Sequence, residues 1–213
     1  MRTFHARGGR LSASKRRALA ELGPRFALGP AGLAAAAGAP IALEIGAGDG
    51  DAAVDLAVRR PELFVVAAEV RRASLAVLLR RVDAAGGVGL AGRIGLVAYP
   101  GDGVALLREQ TPPGRLALLR AFFPDPWPKR AQQHRRLVQP FFAELAASRL
   151  APGGVLEIAT DDLAYAAQME AVLGARPELR GGPAARAERP LTYYEAQAVR
   201  AGRPVIDLRY ARA

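Results

Sequence analysis

A proline-rich loop near the middle of the chain carries the side chains best suited to chemistry. Residues 122–130 read Phe-Phe-Pro-Asp-Pro-Trp-Pro-Lys-Arg, with three prolines in five positions. Because proline fixes φ and removes an amide donor, this segment is predicted to be a stiff loop. It follows the apolar run 116–121, so Asp125, Trp127 and Lys129 stand at the carboxyl end of a strand, where α/β sheets bind ligands. A rigid turn with Trp127 as a packing anchor is the plainer interpretation.

A glycine-rich turn points to the class of ligand. Gly46, Gly48 and Gly50 follow an apolar run, and they allow a tight turn and a close approach of ligand to backbone. The dinucleotide fingerprint places its third glycine three residues after the second, whereas here it comes after two. Asp49 and Asp51 would also repel a phosphate at the following helix. A cationic or zwitterionic ligand such as S-adenosylmethionine, which has a sulfonium and no phosphate, suits the turn better.

Acidic residues close the next predicted strands. Glu69 comes nineteen residues after Gly50, where a carboxylate accepts the ribose hydroxyls of a nucleoside. Asp102 follows the third strand, where it could accept a hydrogen bond from an adenine amine. Together with Asp125 after the fourth strand, these acids strengthen the prediction of a nucleoside cofactor.

The elements that must position these residues alternate between strand and helix. Strands are predicted over residues 40–45, 64–68, 94–98, 116–121 and 155–159. Helices are predicted over residues 51–60, 71–85, 139–150 and 163–173, with a short one after Asp102. The pattern is typical of a doubly wound α/β fold, and 213 residues fit a single domain. Residues 174–190 are predicted to be a surface connection.

Composition excludes several classes of function. The chain has no cysteine and two histidines, so neither disulfides nor a usual zinc site is expected. The longest uncharged stretch is broken by glycine and proline, so no membrane span is expected. From these two observations we expect a cytoplasmic protein without a bound metal.

The net charge of +10 lies in the flanks of the chain. Residues 1–25 carry seven basic groups and one acid, and residues 176–213 carry eight and four. Such flanks suit a polyanion, because each neutralised phosphate releases counterions. Lys129, Arg130, Arg135 and Arg136 would add a basic cluster beyond the loop. Nucleic acid is the predicted partner, and solvated basic tails are the alternative.

These motifs resemble the bacterial tRNA (guanine-N7)-methyltransferases over nearly the whole chain. The matching segments are residues 2–4, 9–11, 43–50, 122–129, 135–140, 150–161, 192–195 and 204–208. The resemblance implies a Rossmann-like class I fold that depends on S-adenosylmethionine, with a mostly parallel sheet and an antiparallel edge strand. It also implies methylation of N7 of the variable-loop guanine, position 46, in tRNA.

The resemblance also assigns roles to individual residues and to parts of the chain. Asp125 is the expected catalytic residue, and the expected cofactor-binding residues are Glu44, Gly46, Gly48, Glu69, Asp102 and Asp125. The expected substrate-binding residues are Lys129, Asp161, Thr192, Tyr193, Tyr194 and Glu195. Residues 1–30 would form a basic arm and helix, residues 40–175 the cofactor-binding core, and residues 176–213 a basic extension that completes the sheet. A monomer and a homodimer are both open.

Some features depart from the family or have a simpler explanation. The family has lysine and phenylalanine where this chain has Tyr193 and Tyr194, and an asparagine is missing before Asp102. Thr192 and Glu195 also match a helix capping box, and Asp161 could cap the next helix. Trp127 could brace its loop or stack on a base. A methyltransferase with a protein or small-molecule substrate, or a non-catalytic RNA-binding protein, remains an alternative.

Overall fold

Strands and helices alternate along the chain, as the apolar runs predict. A computed structural model describes residues 4, 10–29, 32–36, 38–86 and 95–213. They divide into two units, Ala6–Thr111 and one that contains Pro112–Ala213. Arg2, Thr3, Gly9 and Ile94, which belong to predicted motifs or strands, lie outside the described residues.

The N-terminal unit is built on three parallel strands in the order β3-β2-β1. They are β1 (Ile41–Ile45), β2 (Phe64–Ala68) and β3 (Leu96–Tyr99). The helices are α1 (Ala13–Phe26), α2 (Asp51–Arg59), α3 (Arg72–Ala84) and α4 (Gly103–Glu109), and Gly32–Ala36 forms a 3-10 turn. The strands are almost entirely apolar and buried, as expected for parallel strands covered on both faces.

The C-terminal unit contains four strands and three helices. The strands are β4 (Leu116–Phe122), β5 (Leu150–Thr160), β6 (Leu179–Ala184) and β7 (Ile206–Arg212). The helices are α5 (Pro140–Arg149), α6 (Leu163–Gly174) and α7 (Tyr193–Arg200), and Arg130–Arg135 forms a 3-10 helix. Strands β4 and β5 are parallel, while β7 runs antiparallel to both β5 and β6. The predicted α/β class with mostly parallel strands is confirmed. The antiparallel strand is β7, which lies between β5 and β6 and not at the edge of the sheet as predicted.

The prediction of a surface connection over residues 174–190 is wrong in part, because β6 lies within it. This strand reads Leu-Arg-Gly-Gly-Pro-Ala, a composition that disfavours a strand by propensity. Pairing with β7 overrides that propensity: a Cβ added at Gly181 would lie 2.0 Å from the carbonyl oxygen of Arg209. Only glycine allows the two backbones to approach so closely.

Candidate active site

The three parallel strands of the N-terminal unit end side by side. Ile45 of β1 is the register partner of Ala68 of β2, and Ala68 is in turn the partner of Tyr99 of β3. The residues that follow these strand ends are therefore brought to one edge of the sheet. This edge carries the glycine turn after β1, Glu69 after β2 and Asp102 after β3.

The glycine turn needs left-handed backbone at each of its glycines. Gly46, Gly48 and Gly50 have φ values of 74°, 58° and 88°. A Cβ at Gly50 would lie 2.4 Å from Cδ1 of Leu78, so α3 packs directly on the turn there. A Cβ at Gly46 or Gly48 would meet no described atom within 4 Å. These two glycines thus border open space that a ligand can fill. The turn therefore has room for a cofactor to lie against its backbone.

Four amide groups of the turn donate hydrogen bonds inside the protein. The N–H groups of Gly46 and Ala47 donate to the carbonyl of Ala68, at 2.9 and 3.0 Å. The N–H of Gly50 donates to the carbonyl of Ala47 at 2.9 Å, and that of Gly48 to the Glu69 carboxylate at 2.8 Å. A phosphate-binding turn instead directs such donors at its ligand. The turn therefore suits a ligand without phosphate.

Glu69 is a buried carboxylate tied to the backbone on both sides. Its Oε2 accepts from the N–H of Gly48, and its Oε1 accepts from the N–H of Arg71 at 2.6 Å. The Arg71 guanidinium lies 3.6 Å from Oε1. An ionised carboxylate has about four acceptor positions. Glu69 is thus fixed in orientation with capacity left for ribose hydroxyls.

Glu44 lies in β1, two residues before the turn, and is only 4% exposed. Glu44 is therefore not a solvated acid at the strand end. A carboxylate buried at this edge favours a cationic ligand.

Asp102 caps α4 and is held close to the turn. Its Oδ1 accepts from the N–H of Val104 at 2.9 Å. A Cβ at the next residue, Gly103, would lie within 3.0 Å of the side chains of Ile45 and Ala68. The start of α4 therefore packs on the ends of β1 and β2, which places Asp102 beside the same edge as Glu69.

The structure also changes the interpretation of Asp51 in the first turn of α2. This carboxylate forms an ion pair with Arg81 of α3. Its charge is partly balanced by the protein, so the internally bonded amides of the turn are the stronger argument against phosphate.

In the C-terminal unit, the proline-rich loop follows β4 directly and has two strained residues. Phe123 and Trp127 adopt φ values of 52° and 43°, which are uncommon for large side chains. The N–H of Phe123 donates to the carbonyl of Ala159 in β5 at 2.8 Å, so strand pairing continues one residue past β4. Asp125 is partly exposed between the two strained positions. Such strain is characteristic of functional loops.

Trp127 braces this loop from inside. The residue is 2% exposed, and the Arg135 guanidinium lies 3.7 Å from the centre of its ring. Of the two roles left open by the sequence, the structure supports the brace, because a base stacked on the indole would need an accessible face.

Arg136 fastens the same loop to α6. Its Nε donates to the carbonyl of Pro126 at 2.8 Å, one NH group donates to Gln168 at 2.6 Å, and its guanidinium lies 4.7 Å from the Tyr165 ring. Arg136 is 3% exposed. Of the four cations in the predicted basic cluster, Arg136 is therefore buried and bonded within the protein. Lys129 and Arg130 are exposed.

The predicted substrate-binding residues of the C-terminal unit differ in their accessibility. Asp161 forms an ion pair with Arg203 at 2.8 Å, whereas its neighbour Asp162 caps α6 by accepting from the N–H of Tyr165. Tyr193 is 64% exposed and Tyr194 46%, with their rings edge to face at 5.3 Å. Both tyrosines can contact a ligand from solution.

The capping interpretation of Thr192 and Glu195 is correct for Thr192, whose side chain accepts from the N–H of Glu195 at 3.4 Å. Glu195 is 2% exposed and forms ion pairs with Arg186 and Arg189. Burial alone would raise the pKa of Glu195, but the hydrogen bonds and charges of Arg186 and Arg189 outweigh it, so its pKa is lowered.

Comparison with known proteins identifies the family. A family model described as a putative methyltransferase matches residues 38–208. The tRNA (guanine-N(7)-)-methyltransferase of Streptomyces coelicolor is 41% identical over all of this chain and 81% of its own length. That of Methylococcus capsulatus is also 41% identical, over all of this chain and 94% of its own. The chain belongs to the tRNA (guanine-N(7)-)-methyltransferase family. The resemblance of the sequence motifs is thereby confirmed.

A solved structure agrees with the fold of this methyltransferase family. The 16S rRNA methyltransferase KamB aligns with a TM-score of 0.57 and 15% identity, over 82% of this chain and 88% of its own. At that identity the likeness shows the fold alone, and it confirms the predicted class I methyltransferase architecture.

Two absences apply to the described part of this family member. None of its described helices is long and apolar enough to cross a membrane. No group of three or more His, Cys, Asp or Glu residues that could hold a metal ion occurs within residues 10–29, 32–36, 38–86 and 95–213.

Sequence reasoning missed the basic partners of the acidic site residues. Arg81, Arg186, Arg189 and Arg203 each pair with an acid that the motifs single out. No spacing rule connects these partners, because the chain brings them together only through tertiary packing. Only the position of Arg189 in the sequence offered a hint of its partner, because Arg189 lies three residues before Thr192, the first residue of the motif that contains Glu195.

Proposed function

We propose that this protein transfers the methyl group of S-adenosylmethionine to N7 of a guanine in tRNA. The observation that carries the proposal is the acidic edge of the N-terminal unit, with a glycine turn whose amides are bonded internally. That edge fits a nucleoside with cationic groups and no phosphate. Membership in the tRNA (guanine-N(7)-)-methyltransferase family supports both the reaction and the tRNA substrate.

The residues of this edge take separate parts in holding the cofactor. Glu69 accepts hydrogen bonds from the ribose hydroxyls, because its carboxylate is fixed by backbone donors and keeps free acceptor capacity. Asp102 accepts from the adenine amine. Glu44 provides buried negative charge for the cationic groups, while Gly46 and Gly48 allow the cofactor to lie against the backbone. The cofactor itself supplies an electrophilic methyl on sulfonium.

The C-terminal unit provides the residues that act on the guanine. N7 has an in-plane lone pair and carries no proton at neutral pH, so attack on the methyl needs no general base. Bound S-adenosylmethionine would supply the methyl by breaking its C–S bond as the N–C bond forms, and positive charge would pass from the sulfonium to the purine. Asp125 stabilises this charge and orients the base, while Trp127 braces the loop that holds Asp125.

Exposed groups of the same unit bind the rest of the tRNA. Lys129 contacts phosphate, and Tyr193 and Tyr194 present accessible rings to nucleotides. Asp161 would contact substrate only by exchanging its ion pair with Arg203. The methylated base is the variable-loop guanine at position 46, and a tRNA substrate suits a cytoplasmic enzyme. The basic flanks, residues 1–30 and 176–213, add positive charge for RNA binding to that of the core, residues 40–175.

Tritium transfer from labelled S-adenosylmethionine to purified tRNA tests the reaction. Wild-type protein is expected to label a tRNA transcript, and chain cleavage at N7-methylguanine should map the product to position 46. A transcript with adenine at that position should stay unlabelled. Labelling of protein or small molecules but not tRNA would support the first rival function, and failure to bind S-adenosylhomocysteine in calorimetry would support the second.

Substitution of Asp125 tests the catalytic assignment. Asp125→Asn keeps the shape of the side chain but removes its charge, and we expect the single-turnover rate to fall about 100-fold. Asp55→Asn is the matched control, because Asp55 forms a partly exposed ion pair with Arg59 on α2. An Asp125→Asn rate equal to that of the control would refute the role of Asp125.

A further inference from the structure

Arg189 lies in a buried ionic cluster in which every guanidinium donor has an acceptor. Its side chain is 0% exposed. Nε and NH2 donate to the two oxygens of Glu195 at 3.1 and 3.0 Å, while NH1 and NH2 donate to the two oxygens of Asp207 at 2.5 and 3.1 Å. NH1 also approaches the carbonyl of Ala187 at 3.4 Å. Two carboxylates thus hold the planar group from both sides.

This guanidinium also lies over the aromatic rings at the start of the proline-rich loop. The central carbon of Arg189 lies 4.5 Å from the ring centre of Phe122 and 5.9 Å from that of Phe123. Phe123 is one of the two strained residues of the loop and comes two residues before Asp125. A strained conformation persists only where its surroundings fix it, and at Phe123 these are the hydrogen bond to Ala159 and the cation on its ring.

We propose that Arg189 is a positioning residue for methyl transfer: it holds Phe122 and Phe123 so that the loop presents Asp125 correctly. Glu195 and Asp207 serve to fix the plane of Arg189. This differs from the expected role of Glu195 as a substrate contact, since both of its oxygens are bonded inside the protein. The inference rests on the proposed function, because positioning matters only if Asp125 acts in the reaction.

The role requires arginine and not merely a positive charge. Lysine has three donors on a tetrahedral nitrogen and no planar face. It can keep one ion pair with Glu195 or Asp207, but it cannot span both carboxylates and cover Phe122 at once. Arg189→Lys should therefore retain the charge of the cluster and lose its geometry.

Trp127 provides a reporter for the loop that does not depend on activity. It is the only tryptophan in the chain and lies two residues after Asp125. Because Trp127 is 2% exposed, acrylamide should quench its fluorescence weakly in wild-type protein. If Arg189 holds the loop, Arg189→Lys and Arg189→Met should raise the quenching constant and shift the emission to longer wavelength.

The experiment measures Trp127 quenching, the single-turnover methylation rate and tRNA affinity in both Arg189 variants. The rate should fall about 100-fold, as expected for displacement of a reacting group by about 1 Å, while tRNA affinity stays close to wild type. Leu173→Ala is the control: Leu173 is fully buried in α6, so its truncation destabilises the protein at a residue that belongs to neither the ionic cluster nor the loop. The control should keep wild-type quenching and rate at a temperature where it is folded.

The outcomes separate the inference from the proposed function. Unchanged quenching and rate in folded Arg189 variants would overturn the inference. A loss of tRNA affinity with unchanged quenching would also overturn it, in favour of a direct substrate contact. If Arg189→Met does not fold, Arg189→Lys decides. If wild-type protein does not methylate tRNA, the proposed function fails, whereas the quenching comparison still reports whether Arg189 holds the loop.

Discussion

The glycine turn offers a sharp test of the cofactor site, through substitution of Gly46 by alanine. Gly46 has φ of 74°, and an added Cβ would meet no described atom within 4 Å. The substitution should therefore lower the free energy of unfolding only by the cost of left-handed backbone in alanine, about 1 to 2 kcal/mol. A bound cofactor lying against the turn would meet the new methyl. Overpacking of this kind costs about 1 to 3 kcal/mol, which weakens binding about 5- to 150-fold.

Gly153 supplies a control with the same backbone strain. It has φ of 73°, its Cβ would likewise meet no described atom within 4 Å, and it lies in β5 of the other unit. Gly46→Ala and Gly153→Ala should lower the melting temperature by similar amounts. Only Gly46→Ala should weaken binding of S-adenosylhomocysteine in titration calorimetry. Equal, wild-type affinities in the two variants would refute the assignment of the turn to the cofactor.

The remaining predictions concern RNA binding and acid stability. Lys129→Ala should lower the slope of log affinity for tRNA against log salt by about one, as measured by filter binding, while Arg60→Ala, which removes an exposed cation paired with Glu62, should not. An unchanged slope for Lys129→Ala would exclude its phosphate contact. The lowered pKa of Glu195 means that its ionised form stabilises the fold above pH 4.5 and that this stability is lost as pH falls below it. The advantage of wild type over Glu195→Gln in urea unfolding should therefore shrink below pH 4.5, and a constant difference would contradict the buried ion pairs.

Much of the fold could be predicted from the chain alone, because its signals are local. Apolar runs that end in glycine or an acid predict parallel strands, and the helix after Asp51 ends within one residue of its predicted boundary. Strand β6 could not be predicted in this way. Its glycines and proline disfavour a strand, and only the close approach of β7 to Gly181 explains them.

The candidate site, like the fold, has features that the sequence predicts and features that only the structure shows. The types and spacing of Glu69, Asp102 and Asp125 indicate a nucleoside ligand, and the family resemblance implies a reaction centre at Asp125. Spacing could not show that Trp127 faces inward or that Arg136 is buried, since exposure depends on what packs above a residue. The sequence left open whether Trp127 braces its loop or stacks on a base, and Arg136 looks like a surface group in a basic segment.

By itself, the sequence determined the α/β class, the family and the acids that close successive strands, because each depends on residues that are near neighbours in the chain. Tertiary structure alone decided which of the charged residues are occupied by partners within the protein. Glu195 is the clearest case: its motif is compatible with substrate binding, but Arg186 and Arg189 occupy both of its oxygens. A carboxylate has a limited number of acceptor positions, and only the folded chain shows which donors fill them.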